Sequence, residues 1–325
     1  MKEFWKGLPL AVFLGVVFPW VALCIARETV RWPQPEQTQE QQEQQEQLQQ
    51  PYQQTVRVLH GDTVKEMKLS DYLTGVLLGE IPGSFHMEAK KAQAVVARTY
   101  TLRTVTVKDK HPGGAICTDS ACCQAYCSPE SYLAAGGSME TVTQAAQAVS
   151  QTENTVLRYA GELIDATYFS CSGGKTEDAV AVWGSDIPYL QSVESPGEEQ
   201  AEHYTDTVIF TEDEFREALG TDLSGSCATW FGRCTYTDGG GVDTLEIGDT
   251  VYRGTQLRQL LGLRSTAFSV SAVGTDVVIT TRGFGHRVGM SQYGAQAMAH
   301  SGSSWEQILL HYYPGTVIDK GENMG

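Results

Sequence analysis

The sequence predicts an α+β fold: helices and antiparallel strands forming one body with a central cleft, preceded by a membrane anchor and a linker. Three observations predict it. Short runs rich in β-branched residues come in pairs across tight Gly-containing turns, the signature of hairpins. Other segments repeat apolar residues at helical spacing behind Ser or Thr caps. The two kinds of segment mix without a strand–helix–strand rhythm, which argues against a doubly wound parallel sheet. No P-loop and no GxGxxG turn is present.

Taken in order, residues 1–7 precede an uncharged run of nineteen residues, Leu8 to Ala26, which as a helix would span about 28 Å, close to a bilayer core. It reads as an uncleaved signal anchor, with a cleaved signal peptide as the alternative, because Ala22 and Cys24 make a poor cleavage site. Lys2 and Lys6 lie before it and Arg27 and Arg31 after it, so basic residues leave its orientation open. Residues 27–54 form a linker; Pro33 to Gln54 holds twelve Gln and four Glu in 22 residues, too polar to bury a core, and reads as a solvated tether. Residues 55–320 are the folded body. Its hairpins are expected at Thr55–Leu59 with Thr63–Leu69 and at Val156–Tyr159 with Glu162–Ile164. Further strands are expected at Ala166–Ser170, Thr244–Ile247, Ala267–Val273 and Asp276–Thr281. Helices are expected at Met139–Ser150, Phe210–Leu219, Thr255–Leu261, Gln292–His300 and Ser304–Tyr312. The net charge of −16 argues against a nucleic-acid partner.

Two helices carry the most chemistry. The first, capped by Ser70 or Asp71, has Leu73, Val76 and Leu77 on one face, and Glu80 falls on that same face at i, i+3, i+4 and i+7. A carboxyl held against apolar neighbours has its charged form disfavoured, so its pKa rises toward the range a general acid needs. Ile81-Pro82-Gly83 ends that helix, and Ser84 is the expected cap of a second one running to about Thr104 with a stripe of Ala92, Val95, Val96, Thr99 and Leu102. Lys91 and Arg98, seven apart, share an edge of the stripe, where they could steer a substrate or simply snorkel.

The body holds seven cysteines, four of them between Cys117 and Cys127. His111, Cys117, Cys122 and Cys123 offer four soft or borderline ligands in thirteen residues, which suits a structural tetrahedral zinc with no open position. Cys127 is a substitute ligand, and one or two disulfides are the alternative in an exported protein. Cys227 and Cys234 are either a disulfide hairpin or two buried thiols. Cys171 has no base beside it in sequence.

Three ordered motifs resemble the stage II sporulation protein D family. They are Gly75 to Glu80-Ile81-Pro82 with Glu88-Ala89-Lys90-Lys91-Ala92-Gln93-Ala94 and Ala97-Arg98-Thr99-Tyr100; Tyr168 to Glu177 with Val182-Trp183-Gly184; and Gly283 to Ala295. The resemblance spans residues 56 to 318. It implies a lytic transglycosylase of endospore formation, which cleaves the bond between N-acetylmuramic acid and N-acetylglucosamine in stem-peptide-stripped glycan strands to 1,6-anhydro products during engulfment. It also implies a single-pass membrane protein with residues 1–7 cytoplasmic and its body outside the cytoplasm, at the sporulation septum or engulfing membrane. The implied partners are the peptidoglycan itself, the amidase named stage II sporulation protein P, and the membrane protein stage II sporulation protein M. Glu80 would be the one acid and base. Lys91, Arg98, Tyr168, Ser172, Lys175, His286 and Gln292 would bind substrate or stabilise charge, Lys175 reaching a lactyl carboxylate, although a structural role for His286 is an equal reading. Some clostridial members carry zinc at the Cys-rich loop, where Cys122 here replaces a second His. Two other readings stay open: a muramidase-type hydrolase using Glu177 or Asp178 as a second acid, and a non-catalytic wall-binding scaffold or amidase enhancer.

Overall fold

The computed structural model describes residues 54–108 and 110–321. The expected anchor at 8–26 and nearly all of the linker lie outside those residues; among the described residues no helix is long and apolar enough to cross a membrane. The described chain is α+β, as its patterning predicts.

It opens with the expected hairpin. β1 (Thr55–His60) and β2 (Thr63–Lys68) pair antiparallel from Thr55↔Lys68 to His60↔Thr63, across Gly61 at φ 57°. Helix α1 (Leu69–Glu80) follows directly. It starts earlier than the expected Ser70 or Asp71 cap: Lys68 takes the cap position with no side-chain bond, because the chain turns straight out of β2. Leu73, Val76 and Leu77 are buried as expected, and Glu80 is the last helical residue. Helix α2 (Met87–Arg103) is capped by His86, whose Nδ1 accepts from Glu88 N at 3.2 Å, and not by the expected Ser84. Ala92, Val95, Val96, Thr99 and Leu102 are all buried, and so are Ala89, Ala94 and Ala97 on its other sides. Small alanines let neighbours approach α2 all round, so it is the axis of the first core rather than an amphipathic surface helix.

β3 (Ile116–Cys117) runs parallel to β1, tying the Cys-rich loop to the hairpin through Val58↔Ile116. Helices α3 (Pro129–Ala134) and α4 (Met139–Gln151) then pack beside α1 and α2. β4 (Val156–Tyr159) and β5 (Glu162–Leu163) form the second hairpin over Ala160 and Gly161, both at positive φ. β6 (Tyr168–Phe169) is followed by the short helix α5 (Ala179–Trp183).

A second core then forms within residues 205–282. β7 (Thr205–Thr211) leads into α6 (Glu212–Leu219), which starts at a full capping box: Thr211 and Glu214 satisfy each other's backbone N–H. Strands β8 (Phe231–Tyr236), β9 (Val242–Ile247) and β10 (Thr250–Arg253) form one antiparallel sheet, with α7 (Gly254–Leu260) behind it. β11 (Phe268–Val273) and β12 (Asp276–Arg282) join β7 in another, ordered β11-β12-β7. Phe215, Trp230, Leu245, Ile247, Leu257, Phe268, Val277 and Ile279 fill this core.

The chain returns to the first core through β13 (Met290–Ser291), parallel to β6, then α8 (Gln292–His300), α9 (Trp305–Tyr312) and β14 (Val317–Asp319), which pairs with β4. A buried ion pair meets the β8–β9 turn of the second core. Arg287, at φ 66° and 2% exposed, donates to Glu177 Oε1 at 2.9 Å, to Ser172 O at 2.7 Å, to Lys175 O at 2.8 Å and to Gly239 O at 2.7 Å. Glu177 Oε1 also accepts from Thr237 Oγ1 and from Gly241 N, both in the turn between β8 and β9. Removing one member of a buried pair leaves the other charge uncompensated. Arg287→Leu is therefore expected to cost about 3–5 kcal/mol, read as a lowered urea midpoint.

Candidate active site

Glu80 ends α1 half-buried, and three separate elements reach its carboxyl. The backbone N–H of Ala125 donates to Oε1 at 2.6 Å, and the Tyr168 hydroxyl of β6 donates to the same oxygen at 2.9 Å. The Gln292 amide of α8 faces the other oxygen, Oε2, at a longer 3.4 Å. Burial pushes the Glu80 carboxyl above the ordinary glutamate range, while these three donors pull the other way. Tyr168 itself is held well above the usual tyrosine range, mainly by burial and also by the negative charge of Glu80, so its phenol stays a neutral donor.

The loop that brings Ala125 here lies flat on α1 because that helix carries no side chain where they meet. A Cβ on Gly79 would stand 2.9 Å from Tyr126 N and 3.0 Å from Ala125 C, and one on Gly75 would stand 2.2 Å from the Tyr126 ring. Gly75 and Gly79 are four apart and so lie on one helix face, and Cys127 N donates to Gly75 O at 3.0 Å. Gly79→Ala is expected to cost about 1–3 kcal/mol through overpacking against backbone, and hydrogen exchange should show the Ala125 amide losing protection while α2 keeps its own.

The same loop begins at the cysteines. His111, Cys117, Cys122 and Cys123 bring their ligand atoms within 4.8 Å of one another. His111 Nε2 stands 3.3 Å from Cys123 Sγ and 3.5 Å from Cys122 Sγ. These separations match the edges of a tetrahedron with metal–ligand bonds of about 2.0–2.3 Å. The seven described cysteines are free thiols, so neither the Cys-rich loop nor Cys227 with Cys234 forms a disulfide here. Cys122 N and Cys123 N both donate to Asp119 O, a turn that aims the adjacent thiols inward together. Cys127 is not in the cluster; its thiol faces Ser128 O.

The other expected site residues divide. Tyr168 and Gln292 meet Glu80. Arg98 does not: it is 4% exposed, and its guanidinium donates to Thr152 O, Thr155 O and Val149 O, capping the C-terminus of α4. Its expected substrate contact is thereby corrected to a structural one. Ser172 is likewise buried and spent, its hydroxyl donating to Glu198 Oε2 at 2.9 Å. Lys91 pairs with Glu88 at 2.7 Å and makes no bond to Glu80; Glu88 also receives Trp305 N, so it is this carboxylate that ties α9 to α2. Lys175 keeps an exposed ammonium, 3.5 Å from the exposed Glu194. The half-buried His286 ring packs between Phe169 and Trp183, with centroids at 5.6 and 5.3 Å, and its Nδ1 accepts from Val288 N. Burial and the nearby Arg258 charge push His286 down to about 4, leaving it neutral. Glu177, bound to Arg287, and Asp178, whose Oδ1 receives Ser192 N, make these bonds to residues other than Glu80. Cys171 is buried and its thiol is pushed up to about 12, chiefly by burial, the setting of an unreactive buried thiol.

Sequence reasoning missed Ala125, Gln124, Glu198 and the clamp role of Arg287. Glu198 Oε2 accepts from Ser172 N, Ser172 Oγ and Gly173 N, holding the Ser172-Gly173-Gly174 turn in place. A lone glutamate in a loop, or a backbone amide, has no periodicity to announce it.

Residues 60–159 match the SpoIID family, described as "Stage II sporulation protein". The chain is 40% identical over 265 residues to stage II sporulation protein D of Bacillus subtilis (strain 168), covering 80% of this chain and 77% of that one. It is 38% identical over 266 residues to the protein of the same name in Bacillus amyloliquefaciens, with the same coverage of 80% and 77%. An amidase enhancer of Bacillus subtilis is 30% identical over 300 residues, covering 76% of this chain and 40% of its own. With that identity along most of both chains, and with the motifs that carry it assembled around Glu80, this protein belongs to the stage II sporulation protein D family.

Proposed function

We propose that this protein is a lytic transglycosylase that cuts the N-acetylmuramic acid to N-acetylglucosamine bond of peptide-stripped murein strands during sporulation. The observation that carries this reading is Glu80: one carboxyl, raised by burial and held by Ala125, Tyr168 and Gln292, with no other carboxylate or cation hydrogen-bonded to it among the described residues. A transglycosylase needs only that one group. Protonated Glu80 gives its proton to the bridging oxygen. The substrate's own N-acetyl group holds the positive charge developing at the anomeric carbon. Glu80, now a carboxylate, takes the proton from the C6 hydroxyl as that oxygen closes the 1,6-anhydro ring. A two-carboxylate hydrolase would need a second carboxyl at the scissile bond, and Glu177 is locked to Arg287. A glycan would lie across the seam where α1, β6 and α8 converge, and the exposed Lys175 ammonium is available to a lactyl carboxylate.

His111, Cys117, Cys122 and Cys123 would hold a zinc ion with all four positions filled by protein, a structural ion that orders the loop ending at Ala125. Residues 8–26 would anchor the chain, with the body outside the cytoplasm and the tether carrying it toward the wall. Its proposed partners are the glycan, the sporulation amidase that strips stem peptides, and the membrane protein stage II sporulation protein M.

The resemblance to an amidase enhancer favours one other reading, a scaffold that stimulates an amidase without cutting glycan. Digestion of amidase-treated wall by residues 54–325 separates all three. Anhydro ends support the transglycosylase. Reducing ends, about 18 Da heavier by one water, mark a hydrolase. Intact glycan there, with faster peptide release when untreated wall and the amidase are supplied instead, unchanged in Glu80→Ala, marks a scaffold.

A further inference from the structure

Gln124 sits at the centre of a buried hydrogen-bond chain and is itself fully buried. Its Oε1 receives the Tyr72 hydroxyl at 3.3 Å and the Thr101 hydroxyl at 2.8 Å. Its Nε2 donates to the Tyr168 oxygen at 3.1 Å. The orientation of this amide follows from Tyr72. That phenol, 0% exposed and kept neutral by burial, has Gln124 Oε1 as its acceptor; an amide turned the other way would strand its hydrogen. Thr101 also reaches Ala97 O, so it adds to the assignment without deciding it.

Once the amide is oriented, the phenol of Tyr168 has no freedom left. Its oxygen already receives Gln124 Nε2, and its one hydrogen goes to Glu80 Oε1. That oxygen then holds two donors, Ala125 N–H and Tyr168 O–H. We infer that Gln124 is a positioning residue for the proposed reaction: by fixing the direction of the Tyr168 hydroxyl it commits Oε1 to the protein and leaves Oε2, on the Gln292 side, as the oxygen that carries and returns the proton. The inference rests on the transglycosylase reading for its chemical meaning, and on the hydrogen-bond chain for its content. The titratable groups around the carboxyl are Tyr168 of β6 and Tyr72 of α1, with Cys117 and Cys123 beyond Tyr72; α8 presents the neutral Gln292.

The test titrates the Glu80 side-chain carbon by NMR in the full chain at constant metal content, with Glu80→Gln as the assignment control. Tyr168→Phe is expected to shift the Glu80 midpoint upward, because a donor to the charged form is gone. Gln124→Met is expected to shift it upward by less, since the phenol remains but is no longer polarised or aimed. The double variant should match Tyr168→Phe alone. A Gln124→Met shift that persists undiminished in the Tyr168→Phe background overturns the inference, as does no shift at all. Should Gln124→Met fail to fold, neutron diffraction of the wild type decides: a Tyr168 hydrogen on the line to Glu80 upholds it, and one on the line to Gln124 overturns it. Product masses are read on the same samples. A wild type that releases no anhydro ends while showing this titration pattern sinks the transglycosylase reading and leaves the hydrogen-bond assignment standing.

Discussion

Glu80→Gln is expected to reduce release of 1,6-anhydro glycan ends by about 10²–10⁴-fold, the range that a positioned general acid supplies, while binding of denuded glycan stays within about twofold on the ordinary criterion for an interaction made only in the transition state. The glutamine is nearly isosteric. Its oxygen can still accept from Ala125 N and Tyr168, so the loop and β6 keep their places. It has no exchangeable acid proton, so neither the protonation of the leaving oxygen nor the later deprotonation of the C6 hydroxyl can occur. Stability gives a second, independent reading. Burial raises the Glu80 pKa, so the folded chain binds that proton more tightly than the unfolded one. The group's contribution is then fully present below the unfolded pKa and is lost as pH rises through the folded one. At neutral pH the neutral glutamine removes that desolvation cost, and Glu80→Gln should melt at or above the wild type. Activity should follow the same protonation, falling as pH climbs through the raised midpoint. A variant that still releases anhydro ends at the wild-type rate would end the proposal.

How much of this was legible in the sequence depended on range. Glu80 was readable because helical arithmetic alone puts it on the face of Leu73, Val76 and Leu77, and burial of those three follows. The hairpin of β4 and β5 across Ala160-Gly161 is equally local. Arg98 shows where such arithmetic stops. A seven-residue interval places Lys91 and Arg98 on one face but says nothing of what packs there, and α4 packs there with its last carbonyls pointing at the guanidinium. Ala125 and Gln124 were hidden for another reason. Their role depends on Gly75 and Gly79 opening a flat patch 45 residues or more away in the chain, a contact that no pattern within either segment contains. Arg287 needed the return of the chain from the second core before its four acceptors could be counted.

Cys123→Ser is expected to lower cleavage by about 10²-fold or more without unfolding the body, because displacing a catalytic group by about 1 Å costs that much. The reasoning runs along the chain. Cys122 and Cys123 would be ligands, Gln124 orients Tyr168, and Ala125 donates to Glu80, all in consecutive residues. A metal that pins the first two therefore fixes the next two. Serine is a far poorer zinc ligand than thiolate, so the variant should purify with little zinc, and Cys127, facing Ser128 outside the cluster, should not restore it. α1, α2 and α4 also pack directly on one another, so helical circular dichroism should persist while exchange protection at Ala125 collapses. A chelator applied to the wild type should reproduce the loss, and added zinc should reverse it there but not in Cys123→Ser. Zinc content falling to zero with cleavage unchanged would separate the cluster from the acid, leaving the loop held to α1 by its packing on Gly75 and Gly79 alone.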